Sequence, residues 1–204
     1  MQNVNSLPVS AAAERNKGPI LEQLQRLLPA TARVLEIGSG WAQHAVYFCS
    51  VMPGLDWQPS ERGGELAIIE ERLAEEGGPG IRPPIALDVL ADPWPAGPFD
   101  AVYSANTAHI MPWEAVLAML QGVSGCLRPG GLLALYGPFN IGGAYTAASN
   151  AAFDRNLRAQ DPAMGIRDME AREKAAASHQ LQLEERLPMP ANNFLLVFRK
   201  RPPN

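Results

Sequence analysis

Between residues 33 and 137 short apolar runs take turns with amphipathic helical stretches, and this alternation limits the possible folds more than any other feature of the chain. "ARVLEIGSG" reads as a strand running into glycines, followed by a helix from Trp41 to about Val51 and a short strand ending near Gln58. A Glu-rich helix is expected over Gly64 to Glu76 and a third strand over Arg82 to Leu87. "GPFDAVYSAN" reads as a fourth strand, Trp113 to Leu127 as a helix and "GGLLALYGPF" as a fifth strand, whose unbroken apolar run suits burial on both sheet faces. Such alternation predicts right-handed crossovers and an α/β, doubly wound, mostly parallel sheet. Ligands then belong at the carboxyl ends of the strands.

The flanks differ from this core. In Ala11 to Leu28 the residues Ile20, Leu21, Leu24, Leu27 and Leu28 recur at helical spacing. Pro19 is tolerable only near a first turn, which places Arg15, Asn16 and Lys17 just before that helix or at a break in it. After Phe139 comes a polar stretch bearing Asn, Asp and Arg through about Asp168, then a helix from Met169 to His179. "LQLEERLPM" and "NNFLLVFRK" read as two closing antiparallel strands, making seven in all. One domain is expected for 204 residues: an N-terminal helical segment 1–30, a ligand-binding core 31–138, a polar lid and helix 139–180 and C-terminal strands 181–204.

A net charge of −4 and a pI near 5.4 lack the basic footprint that a phosphate backbone demands, so nucleic acid is not the expected partner. No segment approaches the roughly 18 apolar residues of a membrane span. Met1 to Ser10 has no basic patch leading into an apolar run, and a cytoplasmic location is expected. Cys49 and Cys126 stand apart in apolar helical settings, as reduced, buried thiols do. No metal ligand set is indicated, because His109 and Asp88 alone do not make one.

"VLEIGSG" is the most informative stretch, since a strand feeding glycines into a helix start turns backbone N–H groups toward a polar or anionic ligand. A dinucleotide fingerprint would require its third glycine where Gln43 stands, which disfavours a nicotinamide-dependent oxidoreductase. Glu36, in the strand just ahead of Gly38 and Gly40, resembles instead the acid of the first motif of class I S-adenosylmethionine-dependent methyltransferases. The third glycine of that motif is Ala42 here.

The resemblance implies the Rossmann-like class I methyltransferase fold, a mostly parallel seven-stranded sheet with an antiparallel last strand. It also implies cofactor-binding roles. Glu36, Gly38, Ser39 and Gly40 form the loop that meets the methionine moiety. At the end of "WQPSE", Glu61 with Ser60 beside it is the best candidate to accept from the ribose hydroxyls; Asp56 is second, and a helix-start acid is the plain alternative for Glu61. In "ALDVL", Asp88 and the Val89 N–H are carried over to the adenine, against an ordinary cap for Asp88. Arg15 and Asn16 are placed to close over the methionine carboxylate.

"AAERNKGPIL", "GSGWAQHAVYF", "WQPSE", "ANTAHIMPW", "GIRD" and "MPANNFLLVFRK" together resemble a small methyltransferase-like family of unknown function found in bacteria and animals. That resemblance covers about residues 11 to 201 and implies S-adenosyl-L-methionine as cofactor, S-adenosyl-L-homocysteine as product, and no particular substrate.

Methyl transfer is mostly positioning, with a base where the acceptor is an alcohol or ammonium. Asn106, His109 and Tyr136, past strands four and five, are the catalytic candidates. Against this, His109 packs beside Trp113 and caps the loop before Pro112, and Tyr136 is a packing ring. His44 is read as mainly structural. Asn140, Tyr145, Asn150, Arg167 and Asn192 are the expected substrate contacts, in a lid over the acceptor; the alternative is a cap tied internally by Arg158 and Arg167 to Asp161 and Asp168. The expected function is methylation of a small polar molecule by a monomer or homodimer that touches neither nucleic acid nor membrane. The rival is an S-adenosylmethionine-binding sensor or partner subunit without transfer activity.

Overall fold

Strand and helix alternate through the computed structural model, which describes residues 7–202. Residues 1–6 of the expected N-terminal segment and 203–204 of the C-terminal one lie outside the described residues. The strands form a seven-stranded sheet in the order β3-β2-β1-β4-β5-β9-β8, mostly parallel with β9 antiparallel. By its contacts the chain divides into two compact units that meet in sequence between Asp88 and Val89.

The first unit holds α1 (Ala11–Leu27), β1 (Ala32–Ile37), α2 (Gln43–Val51), β2 (Leu55–Glu61), a 3-10 turn at Gly63–Glu65, α3 (Leu66–Glu76) and β3 (Ile85–Ala86). Helix α1 runs unbroken through Pro19, so Arg15, Asn16 and Lys17 lie inside it and not ahead of it. A mid-helix proline costs about 3 kcal/mol. Burying Ile20, Leu21 and Leu24 in the next turn offsets that, at roughly 1.5–3 kcal/mol each. The start is also held: Ser10 Oγ accepts the Ala13 N–H at 3.3 Å, and the Ser10 N–H donates to Gln43 Oε1 at 2.6 Å.

The third strand is shorter than the expected Arg82 to Leu87. Pro83 and Pro84 have no N–H to give a ladder, so pairing with β2 is confined to Ser60 with Ile85 and Glu61 with Ala86, plus one isolated bridge from Trp57 to Ile81. The Glu-rich helix begins at Leu66, because Gly63–Glu65 tighten into the 3-10 turn.

The second unit holds β4 (Phe99–Ala105), α4 (Trp113–Cys126), β5 (Leu127–Gly137), a hairpin of β6 (Asn140–Ile141) and β7 (Ala144–Tyr145), α5 (Ala148–Gln160), α6 (Met169–Ala177), β8 (Leu181–Met189) and β9 (Asn193–Lys200). Leu132 to Leu135 and Leu195 to Phe198 are all buried, as the unbroken apolar runs require. The polar stretch after Phe139 is not a plain loop: it contains the hairpin and the 13 residues of α5. The inward positions of α5 are Asn150, Asp154 and Leu157, helically spaced but two-thirds polar, so apolar periodicity does not reveal the helix.

Cys49 and Cys126 are buried and form no disulfide, and burial pushes the Cys49 thiol up to about 12. No helix among the described residues is long and apolar enough to cross a membrane.

Candidate functional site

The glycine loop of the first unit is built around one buried acid. Glu36 is 1% exposed near the end of β1, and its Oε2 accepts from Ser39 Oγ and from Trp57 Nε1, both at 2.9 Å. Burial, reinforced by repulsion from Glu61, raises its carboxyl to about 7 against the pull of these two hydrogen bonds. The parallel register of β1 on β2 brings Ile37 opposite Ser60, and the loop is pinned there. The N–H groups of Gly38 and Ser39 both donate to Ser60 O, at 3.1 and 3.0 Å, while Ser60 Oγ donates to Glu36 O at 2.6 Å.

Gly38 and Gly40 have φ of +73° and +56°, which disfavours side chains at both positions. Ala42 keeps φ +59° at the N-cap of α2 and is fully buried, so the non-glycine residue retains the left-handed turn of a third glycine at a small steric cost. Glu61 stands at the end of β2, its Oε2 accepting the Gly40 N–H at 2.8 Å and its Oε1 the Arg62 N–H at 3.0 Å. Each oxygen keeps a second lone pair for a ligand hydroxyl. Asp56 is near the opposite end of β2 and binds Arg82 in two parallel bonds of 2.5 and 2.6 Å, an arrangement that holds its carboxyl below the usual range. Asp88 is half-buried, 4.0 Å from Arg62 Nε.

Three residues of this unit take structural roles that pattern reading did not assign. Trp57 supplies the indole N–H to Glu36. Gln43 bridges α2 to α1, donating to Glu14 Oε1 at 2.6 Å as well as accepting from Ser10. Asn16, expected near a ligand carboxylate, is 7% exposed and lies 2.7 Å from His44 Nε2, whereas Arg15 is exposed. His44 stacks on Phe48 at 5.2 Å, and burial lowers it to about 4, as a structural histidine.

In the second unit the three catalytic candidates are neighbours, Tyr136 through its backbone carbonyl. The Asn106 N–H, at φ +59°, donates to Tyr136 O at 3.0 Å, and a Cβ placed on Gly137 would lie 3.6 Å from His109 Nδ1 and 4.0 Å from Asn106 Oδ1. His109 is 5% exposed and meets the edge of Phe153 at 5.2 Å; Tyr136 is 3% exposed. Burial first, then the charges of Arg172 and Arg167, lower His109 to about 4, so its ring is neutral at neutral pH.

Around them the lid residues form a network whose pairing differs from the expected cap. Arg158 binds Asp154 at 2.8 Å, and Arg167 donates to Gly165 O and Ala163 O at 2.9 and 2.5 Å. Asp161 accepts the Ala163 N–H and Asp168 the Gly143 N–H, and neither is ion-paired with an arginine among the described residues. Tyr145 Oη donates to Asp154, and Asn150 Nδ2 donates to Thr146 Oγ1 and Asn192 O. Asn140 donates its N–H to Arg167 O. Among the described residues no group of three His, Cys, Asp or Glu side chains is placed to hold a metal.

Solved structures share this fold. The S-adenosylmethionine-dependent methyltransferase SibL is 23% identical with a TM-score of 0.79, over 94% of this chain and 56% of that one. An O-methyltransferase family protein from Burkholderia thailandensis is 16% identical with a TM-score of 0.79, over 95% and 58%. An O-methyltransferase family 2 protein from Planctomyces limnophilus, solved in complex with apigenin, is 18% identical with a TM-score of 0.76, over 93% and 60%. The chain thus spans little more than half the length of these structures, and at such identities the likeness is one of fold. At the level of sequence, a model described as a protein of unknown function, DUF938, matches residues 7–200, so this chain belongs to that family.

Proposed function

We propose that the chain is a single-domain S-adenosylmethionine-dependent methyltransferase acting on a small polar molecule, with the segment boundaries given above. The observation that supports this most is Glu36. A buried carboxyl raised to about 7 below a loop of left-handed glycines is expensive unless it meets a cation, and the methionine ammonium is one. When bound, the cofactor supplies an electrophilic methyl group. Glu36, Gly38, Ser39 and Gly40 hold its methionine end, Ser60 and Glu61 the ribose, and Asp88 and Val89 the adenine. Arg15 remains assigned to the methionine carboxylate, and Asn16 acts there by fixing His44. Asn106, His109 and Tyr136 are assigned to the acceptor, Asn140, Tyr145, Asn150, Arg167 and Asn192 to its lid. A cytoplasmic monomer or homodimer is the matching setting.

A second reading, a cofactor-binding protein without transfer activity, draws on His109, whose lowered basicity makes it a poor proton acceptor. Calorimetry separates these from an unrelated function. S-adenosylhomocysteine should bind, and Gly38→Arg should abolish binding, because φ +73° and the bond to Ser60 leave no strain-free place for a side chain. Binding of NADH in its place would overturn the proposal. Label leaving the cofactor for a metabolite in a cell extract would decide for the enzyme, and loss of that transfer in His109→Ala would confirm the acceptor assignment.

A further inference from the structure

The second unit holds more buried positive charge than its own carboxylates compensate. Arg172 on α6 is 1% exposed, yet its Nη2 makes one long bond, to Ala108 O at 3.4 Å, and its Nε and Nη1 have no partner among the described residues. Its guanidinium lies 5.1 Å over the Phe139 ring, a contact that does not replace the missing hydrogen bonds. Arg167 is half-buried, donates only to two backbone carbonyls, and has no carboxylate at ion-pair distance among the described residues. The one buried carboxylate among the unit's described residues, Asp154, is fully engaged by Arg158, Tyr145 and the Ile166 N–H.

Arg158 and Arg167 border a cavity of about 350 Å³, within the range of small-molecule sites. Trp113, Asn140, Arg158, Arg167, Asp168 and Ala171 line it. Arg172 follows Ala171 on α6, and the Phe139 it touches precedes Asn140. The Arg167 guanidinium sits 5.8 Å from the Trp113 ring, so a flat cationic edge and a flat apolar face share the wall. Asn140 Oδ1 is a buried acceptor without a partner among the described residues. Two of the five guanidinium N–H groups of Arg167 are taken, and the remainder suit a planar carboxylate. Asp168 in the same wall disfavours a dianion such as phosphate.

We propose that this cavity binds the carboxylate of a small organic acid, with Arg167 as its ion-pairing residue and Asn140 Oδ1 accepting an N–H or O–H of the same molecule. That this acid is the methyl acceptor rests on the function proposed above; that the cavity binds an organic carboxylate does not.

The probe is 4-hydroxybenzoate, which combines a carboxylate, a hydroxyl donor and a flat ring, titrated into the full chain by calorimetry and NMR. Saturable binding is expected, with its neutral methyl ester weaker by at least roughly tenfold. Arg167→Gln should weaken the acid by a similar factor and Arg167→Lys by less, with circular dichroism confirming the fold. Equal affinity for acid and ester, equal competition by inorganic phosphate, or no binding overturns the inference, and the first comparison needs no variant. S-adenosylhomocysteine is titrated in parallel. If it binds and 4-hydroxybenzoate does not, this inference fails and the function stands; if the reverse holds, the carboxylate site stands and its role as acceptor site fails.

Discussion

Replacing Asp154 by alanine is expected to destabilise the protein by about 3–5 kcal/mol, because it removes three hydrogen bonds to a buried carboxylate, one of them the ion pair with the half-exposed Arg158. The carboxylate is 2% exposed; Oδ1 accepts the Ile166 N–H at 2.6 Å, and Oδ2 accepts from Tyr145 Oη at 2.7 Å and Arg158 Nε at 2.8 Å. Burial opposes the ionised form, but these donors win and hold the carboxyl below its ordinary range. In the variant a buried N–H is left unpaired and Arg158 loses its counter-charge. For a chain of this size the loss corresponds to a fall in melting temperature of roughly 6–20 °C. Asp154→Asn, which keeps an acceptor for Ile166, should lose about half as much. A melting temperature unchanged in Asp154→Ala would show that the network does not tie the hairpin and α5 to the loop before α6.

Glu36→Gln is expected to stabilise the protein above neutral pH while weakening cofactor binding. The folded carboxyl, raised from 4.5 to about 7, contributes stability that is fully present below 4.5 and lost as pH rises through 7. Two and a half pH units correspond to about 3 kcal/mol. His44 and His109, lowered from 6.5 to about 4, act oppositely: their contribution is present above 6.5 and lost as pH falls through 4. Wild-type stability therefore mixes the two effects between pH 4.5 and 6.5. The difference between wild type and Glu36→Gln in urea melts isolates the acid: near zero at pH 4.5, and about 3 kcal/mol in favour of the variant by pH 8. Glutamine matches the neutral acid in shape and still accepts from Ser39 and Trp57, but it brings no charge to a cationic ligand. Affinity for S-adenosylhomocysteine should rise with pH through 7 in wild type and be flat in the variant. A wild-type protein that is the more stable at pH 8 would show that Glu36 is compensated within the fold.

Much of this architecture was legible because its signals are local. The runs in the second half of β5 and the middle of β9 are apolar on both faces, so composition alone marks them as buried segments. The glycine loop was equally plain: Glu36, Gly38 and Gly40 lie within five residues, and the positive φ that the two glycines adopt is a property of each residue's own backbone. Local rules failed where burial or distant pairing outweighed them. Pro19 has a real cost, but α1 continues because its following turn is buried. In α5 the inward face is carried by Asn150 and Asp154, and a polar residue reads as inward only when its partner is known.

The alternation of strands and helices, the glycine loop and its acid were thus written in residues a few positions apart, where backbone geometry and side-chain volume act without help from the rest of the chain. The choice of partners was not. Arg158 pairs with Asp154 and not Asp161, Arg167 turns to two carbonyls, and Arg172 reaches Ala108, 64 residues away, without meeting an acid among the described residues. Hydrogen bonds and ion pairs act over about 3 Å with strict direction, whereas apolar burial is non-directional. Periodicity therefore discloses which segments are inside, while the three-dimensional packing settles which buried charges are satisfied and which are left for a ligand.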